Sequence, residues 1–387
     1  MAIYHLSAKI VSRATGRSVV GAAAYRSGES LHDERTGQTF DYTRKDGVEY
    51  SEILAPPEAP SWVHNREELW NAVERVERRK DAQLAREIEI GLPAELNKDQ
   101  QVALLRDYVH GTFVSRGMVG DVALHLDNPD NPHAHVLLTT RQMTSQGFGA
   151  KRRDWNVRSE LKEWRAAWAG TANQHLARAG LDIRIDHRTL EAQGIDLVPG
   201  RKIGVSVERQ QQPDLPLSAT ERVAEQREIA AENGRRILED PRRALHALTH
   251  SQTTFTERDI AKYLHGRTAG AEQFQAAYSK VTTSPELVRL GIDDRGGPRF
   301  TTREMQRAAR PVPQSPPRSY MSEIDAAQQR AAERWRDKQL ARESGMSEQV
   351  SPEKEGDLHW DSNSSLQKEP QKGRELEHPG SEEDFEI

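Results

Sequence analysis

The sequence LHLDNPDNPHAHVLLTTR, residues 124–141, holds three histidines within eleven positions. His133 and His135 stand two residues apart at the start of an apolar run, which predicts a β-strand with both side chains on one face. His125 ends the preceding apolar segment, and the polar turn at residues 127–132 would place that segment antiparallel beside the strand. Three imidazoles that converge on one point predict a divalent metal site. The alternative interpretation is a set of ordinary strand histidines.

The composition predicts that only part of the chain folds into cores. Of its 387 residues, 35% are hydrophobic, and the mean hydropathy is −0.83, which is too polar for two full cores. There are no cysteines, which excludes disulfides and thiolate ligands and is typical of a reducing cytosol. No apolar run approaches the roughly 18 residues of a membrane helix, and the N-terminal residues lack a signal-peptide pattern. We therefore expect a cytoplasmic protein without membrane insertion.

The charge is unevenly distributed. The net charge is −5, but residues 346–387 carry 12 acidic and 4 basic side chains. The other 345 residues hold 48 acidic and 51 basic side chains, so the folded part is predicted to be mildly basic. A nucleic-acid partner is therefore compatible with the overall acidity.

The N-terminal residues predict a strand followed by a short helix. Residues 3–12 alternate between apolar and polar side chains. Ser18 is the expected N-cap of a helix over residues 19–27, VVGAAAYRS, in which the small side chains at residues 21–24 allow close packing on a sheet. Tyr25 lies near the end of that helix, beside Arg26. From this stretch alone Tyr25 is either a functional group or an ordinary packing residue.

Residues 85–91, AREIEIG, predict a strand with a period of two. Ile88 and Ile90 share one side, and Glu87 and Glu89 share the other. Two carboxylates on one face either point to solvent or lie under the histidines, where they would orient imidazole N–H groups.

A basic segment follows the histidine strand. We expect four of its side chains to contact phosphates: Arg141, Lys151, Arg152 and Arg153. Trp164 and Trp168, four residues apart on a predicted helix, are expected to pack against a core rather than to stack on bases.

The metal cluster alone permits three kinds of chemistry. Hydrolysis by metal-bound water is one, although the chain has no His-Glu-x-x-His helix; a structural site is another, although such zinc sites normally have four protein ligands. In the third, a tyrosine attacks phosphorus while the metal withdraws charge from the phosphate oxygens. A tyrosine, with a pKa of about 10, would ionise more readily beside a cation and Arg26. The phosphotyrosine product keeps the phosphodiester energy, so that the cut can be resealed.

The ordered motifs IYHLSAKIVSR, GAAAYRSGE, DERTG, DYTRK, WNAVE, AREIEIGLP, NPHAHVLLTTR and RIDHRTLEAQGIDLVPG resemble those of the MobA/MobL group of plasmid mobilisation relaxases, the MobQ class. The resemblance covers about residues 1–205. It implies an α+β fold of the HUH endonuclease type, in which helices flank an antiparallel sheet and the metal site lies on the central strands. It also implies an enzyme that nicks one DNA strand at an origin of transfer and reseals it.

The motif positions imply a role for each candidate residue. Tyr25 matches the nucleophile that joins the 5′ phosphate, and the three histidines match ligands of a divalent metal, Mg²⁺ or Mn²⁺. Glu87 and Glu89 match acidic active-site positions, where either is a candidate proton acceptor, and Arg26 joins the DNA-binding candidates. Rolling-circle initiators usually place their tyrosine after the histidine motif, whereas Tyr25 precedes His125 by 100 positions. A non-catalytic origin-binding protein with a structural metal, a rolling-circle-type initiator and a metal-dependent hydrolase are the alternatives.

The remainder of the chain is predicted to hold three further segments. Residues 206–240 are a helical linker, and residues 241–308 form a winged-helix-like module that resembles the start of a conjugative helicase region. Residues 309–387 are a charged helix and an acidic, disordered tail. The chain has no G-x-x-x-x-G-K-[ST] motif, so no helicase ATPase is expected. The module either binds DNA or a protein, or is a relic.

The resemblance also implies partners. The substrate would be single-stranded or supercoiled plasmid DNA at the origin of transfer. Accessory relaxosome proteins and a type IV secretion coupling protein would assist, and the protein would be exported with DNA to a recipient cell. The charged C-terminal residues either hold the export signal or only improve solubility.

Overall fold

The computed structural model describes residues 4–128, 131–200, 217–292 and 296–308. The helices in these ranges are α1 (Val19–Ser27), α2 (Arg66–Val76), α3 (Lys98–Thr112), α4 (Arg158–Arg178), α5 (Leu217–Glu239), α6 (Arg242–Ser251), α7 (Glu257–His265), α8 (Gly270–Thr282) and α9 (Arg303–Ala308). The strands are β1 (Leu6–Ser12), β2 (Ser30–Asp33), β3 (Gln38–Asp41), β4 (Val48–Leu54), β5 (Gln83–Gly91), β6 (Gly120–His125), β7 (His133–Thr139), β8 (Arg141–Thr144), β9 (Gly147–Lys151), β10 (Phe255–Thr256), β11 (Leu287–Ile292) and β12 (Pro298–Thr302). The predictions for residues 206–216 and 309–387 lie outside the described ranges. No helix within those ranges is long and apolar enough to cross a bilayer.

The main sheet has five strands in the order β1–β5–β7–β6–β4, and each neighbouring pair is antiparallel. This arrangement confirms the predicted α+β fold with an antiparallel sheet. In the register of β6 and β7, His125 stands opposite His133. In the register of β5 and β7, Glu89 stands opposite His135. The pairing therefore brings the acidic and histidine positions together on the three central strands.

Both faces of this sheet are covered by helices. One face packs against α3 and α4 in a core that includes Tyr108, Trp164 and Trp168. The two tryptophans are buried there, which confirms their predicted packing role. The other face packs against α1 and α2, and its core includes Leu137. Because His135 lies two residues before Leu137 on β7, the histidines lie on the α1 and α2 side of the sheet.

Helix α1 begins and ends where the sequence predicts. The Ser18 hydroxyl caps its first turn by accepting from the Gly21 N–H at 3.1 Å. A Cβ atom at Gly21 would lie 3.0 Å from the ring of Phe40, so glycine permits the close approach of the β2–β3 hairpin to the helix. The helix ends at Gly28, which adopts a left-handed conformation with φ of 68°. These contacts fix the last turn of the helix, where Tyr25 lies.

A second core lies C-terminal to the main sheet. Helices α6, α7 and α8 pack with a three-stranded sheet, order β10–β12–β11, around Leu248 and neighbouring apolar side chains. A capping box begins α7, because Thr256 and Asp259 each accept from the other's backbone N–H. Ile195 and Leu197, which precede α5 in the chain, are buried in the same core. Three helices and a small sheet therefore share one core, and a winged-helix-like module at residues 241–308 stays a prediction.

Residues 182–198 contact this second core. The N–H of Arg184 donates to the Ser251 carbonyl at 2.7 Å. The Asp186 carboxylate accepts from Nε2 of His250 at 3.0 Å. These bonds tie α6 to the segment that follows α4.

Candidate metal centre and active site

Three histidine side chains meet at one end of the central strands. The ligand atoms of His125, His133 and His135 all lie within 4.8 Å of one another. Their ring centroids are 4.9 to 5.3 Å apart. His125 is buried and the other two are partly buried. The strand register therefore produces the convergence that the sequence predicts.

One nitrogen of each ring is held by the protein. Nε2 of His125 donates to the Arg26 carbonyl at 2.8 Å, and Nδ1 of His133 donates to the Asn131 carbonyl at 3.1 Å. Nδ1 of His135 lies 3.0 Å from a carboxylate oxygen of Glu87. Because these oxygens only accept, the protons are assigned to the bonded nitrogens. The second nitrogen of each ring then carries the lone pair that binds a metal.

Burial favours the neutral form that a metal ligand needs. It lowers the pKa of His125 to about 4. The hydrogen bond to the Arg26 carbonyl opposes this shift, and the positive charge of Lys45 adds to it. Burial also lowers the pKa of His133. Neutral imidazoles at this spacing are a donor set that suits a divalent metal.

Glu87 lies beneath the cluster and connects it to α1. Its carboxylate accepts from Nε of Arg26 at 2.6 Å and from Nδ1 of His135 at 3.0 Å. Burial by itself would raise the pKa of Glu87, but the charge of Arg26 and the contact with His135 outweigh it and lower the pKa to about 2. Glu87 is therefore an ionised carboxylate that orients one histidine and one arginine, as the prediction of an orienting acid on this strand requires.

Glu89 faces the same region from the next position on that side of β5. It stands opposite His135 in the strand register, and Oε1 lies 3.5 Å from Nε2 of His5. The negative charge of Glu89 raises the pKa of His133 and so opposes the larger lowering by burial. Sequence reasoning did not single out His5, although it alternates with the apolar residues of β1 on the polar side.

Tyr25 lies in the last turn of α1, next to the residue whose carbonyl holds His125. It is 44% exposed. Nζ of Lys45 lies 3.8 Å from the centre of the Tyr25 ring and donates to the Tyr25 carbonyl at 3.0 Å. The ring of Tyr42 meets the Tyr25 ring edge to face, with centroids 5.2 Å apart. Lys45 and Tyr42 belong to the motif DYTRK, which signals their importance in the sequence but not their contact with Tyr25.

Four of the predicted phosphate-binding side chains form ion pairs with acidic residues. Arg26 pairs with Glu87, and both Arg141 and Lys151 pair with the buried Glu77, at 2.8 and 3.0 Å. Arg152 pairs with Asp154 at 2.7 Å, whereas Arg153 is exposed. Contact of these five side chains with phosphate stays a prediction.

His133 and His135 flank Ala134 on β7, the central strand of the antiparallel sheet, which is the arrangement that the family resemblance implies. The chain belongs to the MobA/MobL family, whose model matches residues 17–212. This confirms the family resemblance found in the motifs.

Individual relatives agree with that membership. The chain is 37% identical over 350 residues to the conjugal transfer protein TraA of Agrobacterium fabrum, which covers 79% of this chain and 32% of that protein. It is 38% identical over 238 residues to the mobilization protein MobL of Acidithiobacillus ferridurans, which covers 53% of this chain and 62% of that protein. A solved chain described as "Molecular Basis of Vancomycin Resistance Transfer in Staphylococcus aureus" is 37% identical, covers 49% of this chain and 100% of that chain, and has a TM-score of 0.47. The chain thus spans less than two thirds of these two curated relatives.

Proposed function

We propose that this chain is a metal-dependent DNA relaxase that nicks one strand at a plasmid origin of transfer and later reseals it. The observation that carries the proposal is the tie between Tyr25 and the histidine cluster. Arg26, the residue after Tyr25, bonds His125 through its carbonyl at 2.8 Å and Glu87 through its guanidinium. The tyrosine is thereby joined to the cluster by backbone and side chain together.

The relatives support the substrate class. Their names describe conjugal transfer and mobilization, so the substrate proposed for this chain is plasmid DNA at the origin of transfer, single-stranded or supercoiled. The part of the chain outside residues 346–387 has a small excess of basic side chains, which suits such a partner. Accessory relaxosome proteins, a type IV secretion coupling protein, a cytoplasmic location and export with DNA remain predictions.

The proposed reaction is a transesterification. The Tyr25 oxygen attacks the scissile phosphorus, the bond from phosphorus to the 3′ oxygen breaks, and the 3′ end leaves as a hydroxyl. The new bond is a 5′-phosphotyrosine, and attack by a 3′ hydroxyl in the reverse direction restores the DNA strand and the tyrosine. No bond energy is lost to water, so neither direction needs a nucleotide cofactor.

The other residues have separate roles in this proposal. His125, His133 and His135 would hold Mg²⁺ or Mn²⁺, which supplies positive charge to the non-bridging phosphate oxygens when bound. Glu87 orients His135 and Arg26. Because Oε1 of Glu87 accepts from both Arg26 and His135 and the pKa of the carboxyl is about 2, Glu87 is a poor base. Glu89 is therefore the better candidate for the proton acceptor of the tyrosine hydroxyl.

The test is a nicking reaction on a supercoiled plasmid that carries the cognate origin, in the presence of Mg²⁺ or Mn²⁺. Wild-type protein should convert the plasmid to the open circular form with protein attached to the 5′ end, and Tyr25→Phe should abolish both. Tyr42→Phe is the matched control, because it removes a hydroxyl from the neighbouring ring and should leave nicking intact. EDTA should stop the wild-type reaction.

Three outcomes would contradict the proposal, and each corresponds to an alternative. A nick with an unattached 5′ end indicates a metal-dependent hydrolase. Origin binding without any nick indicates a DNA-binding protein with a structural metal. A covalent adduct that persists in Tyr25→Phe places the nucleophile elsewhere.

A further inference from the structure

Lys45 makes two contacts with Tyr25 that together fix the orientation of its ring. The ammonium lies 3.8 Å from the ring centre, within the range in which a cation is attracted to an aromatic face. The same ammonium donates to the Tyr25 carbonyl at 3.0 Å. One charged group therefore joins the side chain of Tyr25 to its own backbone.

The loop that carries Lys45 is held in place from both ends. At its start, the Asp41 carboxylate accepts from the N–H and the hydroxyl of Thr43 at 3.0 and 2.7 Å. At its end, the Gly47 carbonyl accepts from the N–H of Leu126, the residue after His125, at 2.9 Å.

Gly47 allows this loop to approach the histidine strand closely. Its φ is 86°, and a Cβ atom there would lie 2.6 Å from Cβ of Asp127. A side chain is therefore excluded by both conformation and space. This glycine lets the loop pack against the end of β6, and Lys45 of the same loop contacts Tyr25 in the last turn of α1. Burial is the largest cause of the lowered pKa of His125, and the charge of Lys45 lowers it further.

Tyr25 needs such support because it is 44% exposed at the end of a helix. An exposed tyrosine side chain ordinarily samples several rotamers, and a reaction at phosphorus needs one of them. Tyr42 contacts the Tyr25 ring edge to face, with ring centroids 5.2 Å apart. Lys45 contacts the face of the same ring and brings a positive charge to it.

We infer that Lys45 is the positioning residue of the nucleophile: it holds the Tyr25 ring for attack and stabilises the negative charge that its oxygen acquires. This inference rests on the proposed function. It assigns to the DYTRK motif a role in the chemistry of the nick rather than in the affinity for DNA. An arginine can preserve both the charge and the contact with the ring, whereas methionine has a similar length and no charge.

The experiment compares single-turnover nicking of a single-stranded oligonucleotide that contains the origin's nick site, at saturating protein, with the dissociation constant from fluorescence anisotropy. Lys45→Met should reduce the rate constant about tenfold, since it loses a cation–π contact and a charged hydrogen bond, while the dissociation constant changes less than about threefold. Lys45→Arg should recover most of the rate. Arg44→Met is the matched control, because it removes an exposed charge from the same loop and should not change the rate constant.

Several results would overturn the inference. One is a Lys45→Met protein that nicks at the wild-type rate. Another is a Lys45→Met protein in which only the affinity for DNA falls, and a third is an equal fall of the rate constant in Arg44→Met. If Lys45→Met unfolds at a lower temperature than wild type, the rate in Lys45→Arg decides, and a tenfold loss there contradicts the inference. Wild-type protein that forms no adduct contradicts the proposed function itself, whereas a normal wild-type adduct with an unaffected Lys45→Met contradicts only the role of Lys45.

Discussion

Replacing Glu87 with glutamine should lower the free energy of unfolding of the metal-free protein by about 3 kcal/mol at pH 7. The buried carboxylate accepts from Arg26 at 2.6 Å and from His135 at 3.0 Å. Burial alone would raise its pKa, but the two partners lower the pKa from 4.5 to about 2, and a depression of that size corresponds to about 3 kcal/mol. Glutamine keeps the shape but loses the charge, and the partly buried Arg26 guanidinium is left without its anion.

The sign of this effect follows from the direction of the shift. The pKa of Glu87 is lower in the folded than in the unfolded state, so its contribution is complete above about pH 4.5 and is lost as the pH falls toward 2. Wild-type protein should therefore lose stability over that interval, and Glu87→Gln should lose less of it.

Urea unfolding followed by circular dichroism, with EDTA present, measures the difference at pH 7. The matched control is Glu49→Gln, because Glu49 forms an exposed pair with Lys98 at 2.6 Å and should contribute at most about 1 kcal/mol. Titration calorimetry with Mn²⁺ should also show an affinity about 10- to 100-fold weaker for Glu87→Gln, since His135 loses its orienting anion. A Glu87→Gln protein within about 0.5 kcal/mol of wild type would refute the reasoning.

Two further predictions concern the segment that contacts the second core and the loop beside the histidine strand. Burial would raise the pKa of Asp186, but hydrogen bonds from Arg188 and His250 hold it well below its ordinary value. The contribution of Asp186 is thus present above about pH 4 and lost below it, so Asp186→Asn should flatten the fall of Tm between about pH 5 and pH 2, and an unchanged slope speaks against it. Gly47→Ala should cost more than about 2 kcal/mol in urea unfolding, because the added Cβ meets a carbon at 2.6 Å, whereas Gly16→Ala, with φ of 73° and open space, should cost about 1 kcal/mol. Equal costs would contradict the close approach at Gly47.

The sequence predicts the centre of the site well because strand periodicity is a local property. His133 and His135 are two residues apart, and any regular strand places them on one face. The position of His125 follows from the short polar turn that pairs β6 with β7. Glu87 could be assigned to the same side by its own alternation with Ile88, and its bond with His135 agrees with that interpretation.

The contacts that sequence reasoning missed depend on loops that close over long separations. Lys45 reaches Tyr25 only because Gly47 lets its loop pack beside β6, and nothing in the motif shows that approach. The bond from His125 to the Arg26 carbonyl spans 99 positions and uses the backbone, which carries no sequence signal. Likewise, the local basic run suggests that the Arg141 charge is available to phosphates. In the structure, Arg141 donates to the carboxylate of Glu77, which lies 64 positions away in the sequence.

The same separation explains why the second core was assigned less fully. Ile195 and Leu197 precede a charged helix and lie in a short segment whose apolar residues show no regular period. They become part of the second core because that segment folds back against α6. Periodicity identifies elements, but it does not show which element a short segment joins.

If Tyr25 is the nucleophile, it carries the DNA after the nick. Labelled DNA tests this covalent attachment most directly. An origin oligonucleotide with a fluorophore at its 3′ end is incubated with protein and Mn²⁺, and the products are separated on a denaturing gel and mapped by tryptic mass spectrometry. The 3′ label should migrate with the protein, and the nucleotide should be attached to the peptide of residues 18–26. A label that stays free of protein after cleavage, or a nucleotide attached to any other peptide, would contradict it.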